Sequence, residues 1–120
     1  AALFNLHNLD GREVSESQIK MLLDQCHNSA GLHFSLGNFY ARRSRWPEAQ
    51  QAYFSAFSAD EDNPEYAYNL AVSLDQLGKA NAASQYYQKA VILSDERAPS
   101  FNVGKVRSRI RALSGRDSPP

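Results

Sequence analysis

The segment His33-Phe34-Ser35-Leu36-Gly37-Asn38-Phe39-Tyr40 decides the fold, because a related segment stands 34 residues later at Ala67-Tyr68-Asn69-Leu70-Ala71-Val72-Ser73-Leu74. The correspondence continues beyond both segments without a gap. Small residues match small ones and tyrosine matches tyrosine: Ala49 with Ala83, Tyr53 with Tyr87, and Ala56 with Ala90. Self-similarity at one fixed offset over this length indicates a structural repeat of 34 residues.

Each copy of the repeat has the pattern of two helices, which we call helix A and helix B. Helix A of the second copy carries an apolar stripe at helical spacing, formed by Leu70, Leu74 and Leu77. Asn63-Pro64 suits the start of that helix, with the asparagine as cap and the proline in the first turn. Gly78 suits its end. The repeat therefore predicts two helical hairpins.

The flanking segments complete the stack. Ser15 and Gln18 have the spacing of a capping box that opens a helix, and this helix is expected to act as helix B of a degenerate preceding repeat. After the second hairpin, a terminal helix has one apolar side that caps the last repeat; that side consists of Phe101, Val106, Ile110 and Leu113.

The pattern as a whole predicts an all-α fold without a sheet. The expected helices lie near residues 15–27, 30–43, 47–58, 64–77, 79–93 and 101–113. We expect one domain over residues 1–113, divided into a partial repeat (1–29), repeat one (30–63), repeat two (64–97) and a capping helix (98–113), followed by a flexible tail (114–120).

The repeat resembles the tetratricopeptide (TPR) signature. The resemblance rests on Leu36-Gly37-x-x-Tyr40 followed by Ala49, Tyr53 and Ala56, and it covers residues 30–97. His33 and Ala67 depart from it, since they replace the large aromatic residue that the family places early in helix A. The resemblance implies a right-handed superhelix of antiparallel hairpins, with an extended concave surface lined by the A helices.

The same helix-A segments also resemble TPR domains of bacterial envelope proteins linked to type IV pilus or secretion assembly. This resemblance implies a soluble domain of a membrane-anchored parent protein. It leaves the compartment open between the cytoplasmic and the periplasmic side.

In the TPR family the concave surface holds peptides, and the resemblance carries this role to seven positions. These are Phe34, Asn38, Ala41, Tyr68, Asn69, Val72 and Asp75. An asparagine amide both donates and accepts hydrogen bonds, which suits Asn38 and Asn69 to the backbone of an extended peptide. Phe34 and Tyr68 would be aromatic anchors; the alternative is that they only cover exposed helix surface or pack on a neighbouring unit that is missing from this sequence.

The groove differs from that of TPR domains that clamp a C-terminal carboxylate. Phe34 stands at one of their lysine positions, and Pro99 and Val103 stand at other basic positions. With Glu65 and Asp75 nearby, the groove is expected to be neutral to acidic. The expected partner is therefore a neutral or basic, apolar segment of a protein.

Composition excludes several other functions. Thirteen basic and thirteen acidic residues leave a net charge of +0, and the basic residues of the last helix have no interleaved aromatics, which disfavours nucleic acid. No apolar run approaches the roughly 20 residues that span a bilayer, so no membrane insertion by this segment is expected. His7, His27, His33 and Cys26 lack metal-ligand spacing. We expect no cofactor, no metal, no small-molecule substrate and no enzymatic activity.

Two hypotheses of function remain. The first is a non-catalytic scaffold that binds a peptide or a partner segment on its concave helix-A face, in a bacterial assembly such as pilus or secretion machinery. The alternative is a structural segment of a longer helical solenoid, or a self-association module. The sequence leaves oligomerisation open.

Overall fold

The computed structural model describes residues 15–25 and 29–117. Within those ranges the chain forms six α-helices and no strand. The helices are α1 (Glu16–Gln25), α2 (Ala30–Arg42), α3 (Trp46–Ala59), α4 (Pro64–Gln76), α5 (Ala80–Leu93) and α6 (Val103–Asp117). The predicted all-α architecture of helical hairpins is confirmed.

Local capping sets the helix starts. The Ser15 amide donates to the Gln18 side chain at 3.0 Å and the Gln18 amide donates to Ser15 Oγ at 3.2 Å, so the predicted capping box is formed. Asn63 caps α4 by accepting from the Glu65 amide at 2.9 Å, and Pro64 lies in the first turn. Gly78 has a φ of 77°, which the turn between α4 and α5 requires and which glycine adopts without strain.

The helices pack mainly against their neighbours in sequence. Helices α2 and α3 form the first hairpin and α4 and α5 the second, α1 lies on α2, and α6 lies on α5. The result is an elongated stack with principal extents of 51 × 30 × 25 Å. This is a TPR-like fold in which α2 and α4 are the A helices, and α3 and α5 are the B helices.

Small side chains let the two helices of each hairpin approach closely. Ala49 and Ala56 in α3, like Ala83 and Ala90 in α5, have no exposed surface. Gly37 is more restricted still, since a Cβ built on it would lie 2.5 Å from the ring of Tyr53. Helix α2 therefore touches the aromatic ring of α3 with its backbone.

Glu16 joins α1 to repeat one. The Tyr40 hydroxyl donates to its carboxylate, which also pairs with Lys20 at 3.0 Å and with Arg45 at 3.4 Å. The pKa of Glu16 is lowered to about 2, mainly by the hydrogen bond from Tyr40 and further by the hydrogen bond and charge of Lys20 and the charge of Arg45.

The observed helix bounds of α2 to α5 agree with the predicted ones to within one residue. The largest difference is in the last helix, which begins at Val103 and continues to Asp117, past the predicted end at residue 113. It begins later because the Asn102 side chain accepts from the Lys105 amide at 3.0 Å and so caps the helix. The predicted end of α1, with Cys26 and His27, and the degenerate segment 1–14 lie outside the described residues.

Candidate partner-binding surface

The seven predicted groove residues lie on the two A helices. Phe34, Asn38 and Ala41 are on α2, and Tyr68, Asn69, Val72 and Asp75 are on α4. All seven are half-buried. We call this set the A-helix face.

The two aromatic residues of the A-helix face occupy equivalent places in the repeats. The ring of Phe34 lies 5.7 Å from that of Tyr53, and the ring of Tyr68 lies 6.1 Å from that of Tyr87. The interplanar angles, 48° and 53°, are also similar. The 34-residue period therefore extends to the orientation of side chains.

Each of these rings also contacts the next unit of the stack. Phe34 lies 4.9 Å from Tyr66 of α4, and Tyr68 stacks on Phe101 at 4.5 Å with an interplanar angle of 13°. Both rings remain partly exposed. The two rings therefore contribute to the packing between successive units and leave part of their surface accessible.

Both predicted asparagines make intramolecular hydrogen bonds. Asn38 Oδ1 accepts from the Tyr53 hydroxyl at 2.7 Å, and Asn69 Nδ2 donates to the Glu65 carbonyl at 2.9 Å. Each side-chain amide has two donor hydrogens and an acceptor oxygen. Within the described part of the chain, the N–H donors of Asn38 make no hydrogen bond to protein, and neither do the oxygen and one N–H of Asn69.

Asp75 connects repeat two to α6. Its carboxylate accepts two hydrogen bonds from Arg109, both at 2.7 Å, and one from the Tyr87 hydroxyl at 2.9 Å. The Asp75 side chain is only 12% exposed. The hydrogen bond to Asp75 is the main reason why the pKa of Arg109 is raised. The pair joins α6 to α4 through two charge-assisted hydrogen bonds.

Asp75 and Glu65, on which the expectation of a neutral to acidic groove rests, differ in their charge environment. The charge of Asp75 is compensated by Arg109, so Asp75 offers little attraction to a cationic ligand. Among the described residues, no cation pairs with Glu65: its carboxylate accepts from the Ser100 amide and, at 2.7 Å, from the Ser100 hydroxyl. The acidic character of this face therefore lies at Glu65.

An open recess of about 720 Å³ lies at the junction of α2, α4 and the segment that precedes α6. Its lining brings together three of the predicted residues, Phe34, Tyr68 and Asn69, with Glu65, Pro99 and Phe101. Asn38, Ala41, Val72 and Asp75 lie outside this lining. The recess is aromatic on its sides and polar at Glu65 and Asn69.

Tyr53 and Tyr87, the equivalent tyrosines of the two B helices, have raised pKa values. Burial raises the pKa of Tyr53 to about 12, because the phenolate would lose its hydration. The pKa of Tyr87 is raised further, by burial first and then by its hydrogen bond to Asp75. Both hydroxyls therefore act as hydrogen-bond donors over the physiological range.

Sequence reasoning missed three residues of this surface. The sequence predicts Phe101 only as part of the apolar side of the cap, and it gives Ser100 and Arg109 no role in the groove. The offset of 34 residues between Asp75 and Arg109 is the signal that could have found that pair, because equivalent positions of successive A helices lie side by side.

The described residues contain no group of three or more His, Cys, Asp or Glu that could hold a metal ion. None of the described helices is both long and apolar enough to cross a membrane.

Solved structures share this fold. The type III secretion translocator chaperone SycD of Yersinia enterocolitica superposes with a TM-score of 0.74 at 19% identity, over 84% of this chain and 70% of SycD. The solution structure of a protein from Bordetella parapertussis gives a TM-score of 0.68 at 20% identity, over 88% of this chain and 92% of that one. No protein-family model matches the sequence, and no curated protein sequence matches it. The likeness is one of fold.

Proposed function

We propose that this chain is a non-catalytic protein-binding module that holds an extended segment of a partner protein on its A-helix face. The observation that carries the proposal is the half-buried Phe34, Tyr68 and Asn69 around one open recess. Exposed aromatic surface beside amides with spare hydrogen-bonding capacity is what an extended peptide requires. The assembly we propose is a bacterial one, such as secretion or pilus machinery.

The structural similarity to SycD supports the proposed protein-binding function. SycD is a translocator chaperone, and its helices superpose on those of this chain. A chaperone acts by holding other proteins, which is the class of function that the A-helix face suggests here.

The alternative of a solenoid segment is less well supported at α6. By the 34-residue offset, the core positions Leu70, Ala71 and Leu74 of α4 correspond to Gly104, Lys105 and Ser108 of α6. Those three residues are exposed. This side of α6 is polar and offers no apolar surface to another helix B. Light scattering at several concentrations tests the remaining option, self-association.

The proposal is tested with a peptide selected by display against the wild-type domain and measured by calorimetry. We expect Asn38→Ala and Asn69→Ala each to weaken binding by about 0.5–1.5 kcal/mol, the value of a neutral hydrogen bond. Phe34→Ala and Tyr68→Ala are expected to cost more, on the order of 2 kcal/mol. Asn38→Ala also removes the acceptor of Tyr53, so its binding is measured where circular dichroism shows a folded domain.

The matched controls are Arg107→Ala and Arg111→Ala, both on the exposed side of α6. We expect them to leave the affinity unchanged. If the arginine variants lose binding and the A-helix variants do not, the site belongs on α6 and its partner is an anionic one.

A further inference from the structure

The recess of the A-helix face combines aromatic rings with an uncompensated carboxylate. Phe34, Tyr68 and Phe101 contribute the rings, and Glu65 contributes the carboxylate. Among the described residues that line it, Glu65 is the one charged side chain. We propose that this recess receives the side chain of an arginine in the partner segment. The inference rests on the proposed function and names the chemistry of the ligand.

The charge of Glu65 favours a cationic ligand in the recess. A neutral ligand that covered Glu65 would remove water from a carboxylate without replacing it, which is costly. Each of the two oxygens already accepts one hydrogen bond from Ser100. A carboxylate has about four acceptor sites, so a fork of N–H donors can still bind. A guanidinium restores the interactions that the covered carboxylate loses, whereas an acidic side chain would be repelled.

The aromatic rings of the recess favour arginine over lysine. Arginine stacks its flat guanidinium on aromatic faces and also pairs with carboxylates through two parallel hydrogen bonds, which lysine does not do. The chain uses both contacts internally. The guanidinium of Arg43 lies 3.7 Å from the ring centre of Phe39, and Arg109 binds Asp75 through two hydrogen bonds. The recess offers the same two surfaces together, toward solvent.

The test compares two acetylated and amidated pentapeptides, Ala-Leu-Arg-Leu-Ala and the same peptide with citrulline in place of arginine. Citrulline keeps the shape of arginine but carries no charge. Binding is followed by the backbone amide NMR signals of Glu65, Tyr68, Asn69 and Phe101. We expect saturable shifts of these signals and a dissociation constant roughly three- to tenfold lower for the arginine peptide, as cation–π and ion-pair contacts predict.

Two variants assign the effect to the recess. Glu65→Gln retains an oxygen for Ser100 and is expected to make the two peptides bind alike. Phe34→Leu keeps apolar volume but removes the ring face, and we expect it to weaken the arginine peptide more than the citrulline peptide. Glu61→Gln is the control, because it removes the same charge from an exposed loop outside the recess and should leave the preference intact.

Equal affinity of the two peptides for the wild type would overturn the inference, as would an unchanged preference in Glu65→Gln. Shifts centred on the acidic loop 60–62 would overturn it as well. If the display-selected peptide still binds and depends on Asn38 and Asn69, the proposed function stands and only the arginine preference fails. If no peptide binds the A-helix face, both fail.

Discussion

Repeat one and repeat two place the same ring at the centre of the same hairpin, yet they hold it differently. Tyr53 and Tyr87 are both almost fully buried, and each packs on the aromatic residue of its A helix. Their hydroxyl groups donate hydrogen bonds to different acceptors. Tyr53 donates to Asn38, whereas Tyr87 donates to Asp75, which lies three positions further along helix A in the repeat register.

The backbone beneath the rings also differs. Repeat one has Gly37 where repeat two has Ala71, and the space for a Cβ is filled by Tyr53 in the first hairpin only. The first ring therefore lies directly against the backbone of α2. In the second hairpin, Ala71 places a methyl group without exposed surface at the equivalent position of α4.

The helix that comes after each repeat explains the difference in charge. Repeat one is followed by α4, and the partner of its tyrosine is a neutral amide. Repeat two is followed by α6, where Arg109 compensates the carboxylate that accepts from Tyr87. The repeats thus share a core, while the residues at the joint to the next helix are specific to each.

The shared core gives the largest expected effect. Ala49→Leu and Ala83→Leu add bulk at positions with no exposed surface, and we expect each to lower the free energy of unfolding by about 2–3 kcal/mol. Urea denaturation measures both. Ala59→Leu, at an exposed position of α3, is the control and should melt like the parent. Equal stability of all three variants would show that the repeat register is wrong.

The buried tyrosines predict a loss of stability in alkali. Because the pKa of Tyr53 is about 12 in the folded state and about 10 when unfolded, folding holds its proton more tightly. The stabilising contribution is complete below pH 10 and is lost as the pH rises from 10 to 12, on the order of 2 kcal/mol. Urea midpoints across this range should fall less steeply in Tyr53→Phe. Identical slopes in variant and parent would contradict the prediction.

Exchanging the residues beneath the two tyrosine rings tests whether the helices approach more closely in the first hairpin than in the second. Gly37→Ala gives repeat one the residue of repeat two, but its methyl group would meet the Tyr53 ring at 2.5 Å. We expect a net loss of about 1–2 kcal/mol, although alanine is the better helix former. The reverse change, Ala71→Gly, is expected to cost about 1 kcal/mol through helix propensity.

Gly31→Ala is the matched control for Gly37→Ala. It lies in the same helix, and its added Cβ would meet only Ser29 Oγ, at 3.9 Å. We expect thermal denaturation to show a small gain in stability, up to about 1 kcal/mol. A gain of the same size in Gly37→Ala would mean that the two hairpins are equally close.

The smallest expected change in stability concerns Asp75, which joins repeat two to the helix that follows it. Asp75→Asn keeps an oxygen for Tyr87 but loses the charge that Arg109 requires, and since Arg109 is 36% exposed we expect a loss of about 1 kcal/mol at low salt. The loss should shrink in roughly 1 M NaCl, where screening is strong. Asn38→Ala is the comparison in repeat one, with a loss that salt does not change. A salt-independent loss in Asp75→Asn would contradict the role of its charge.

The fold could be predicted from sequence because its determinants are local. The cap at Asn63 and the stop at Gly78 each depend on a few neighbouring residues, and the 34-residue period repeats such local helix patterns along the chain. The site could be predicted only in outline. The hydrogen bond from the Tyr53 hydroxyl to the Asn38 oxygen depends on the close approach of α2 and α3 at Gly37, which no local pattern reveals.

The C-terminal joint was the least predictable part. Phe101 has the spacing of an apolar helix position, yet Asn102 begins the helix after it and leaves its ring to stack on Tyr68. The basic residues of α6 look alike in sequence. Only the rotation of the helix in three dimensions turns Arg109 toward Asp75 and leaves Arg107 and Arg111 exposed.

The packing of each helix mainly on its neighbours in sequence has a mechanical consequence. In such an array, stability is close to a sum over successive joints. A pulling force along the long axis would therefore open one joint at a time rather than the whole domain at once. The Asp75–Arg109 and Glu65–Ser100 contacts hold α6 and the segment before it against α4. Under force, α6 would therefore detach only after these charged and hydrogen-bonded groups had separated. The two helices of a hairpin would instead separate as alanines slide past aromatic rings.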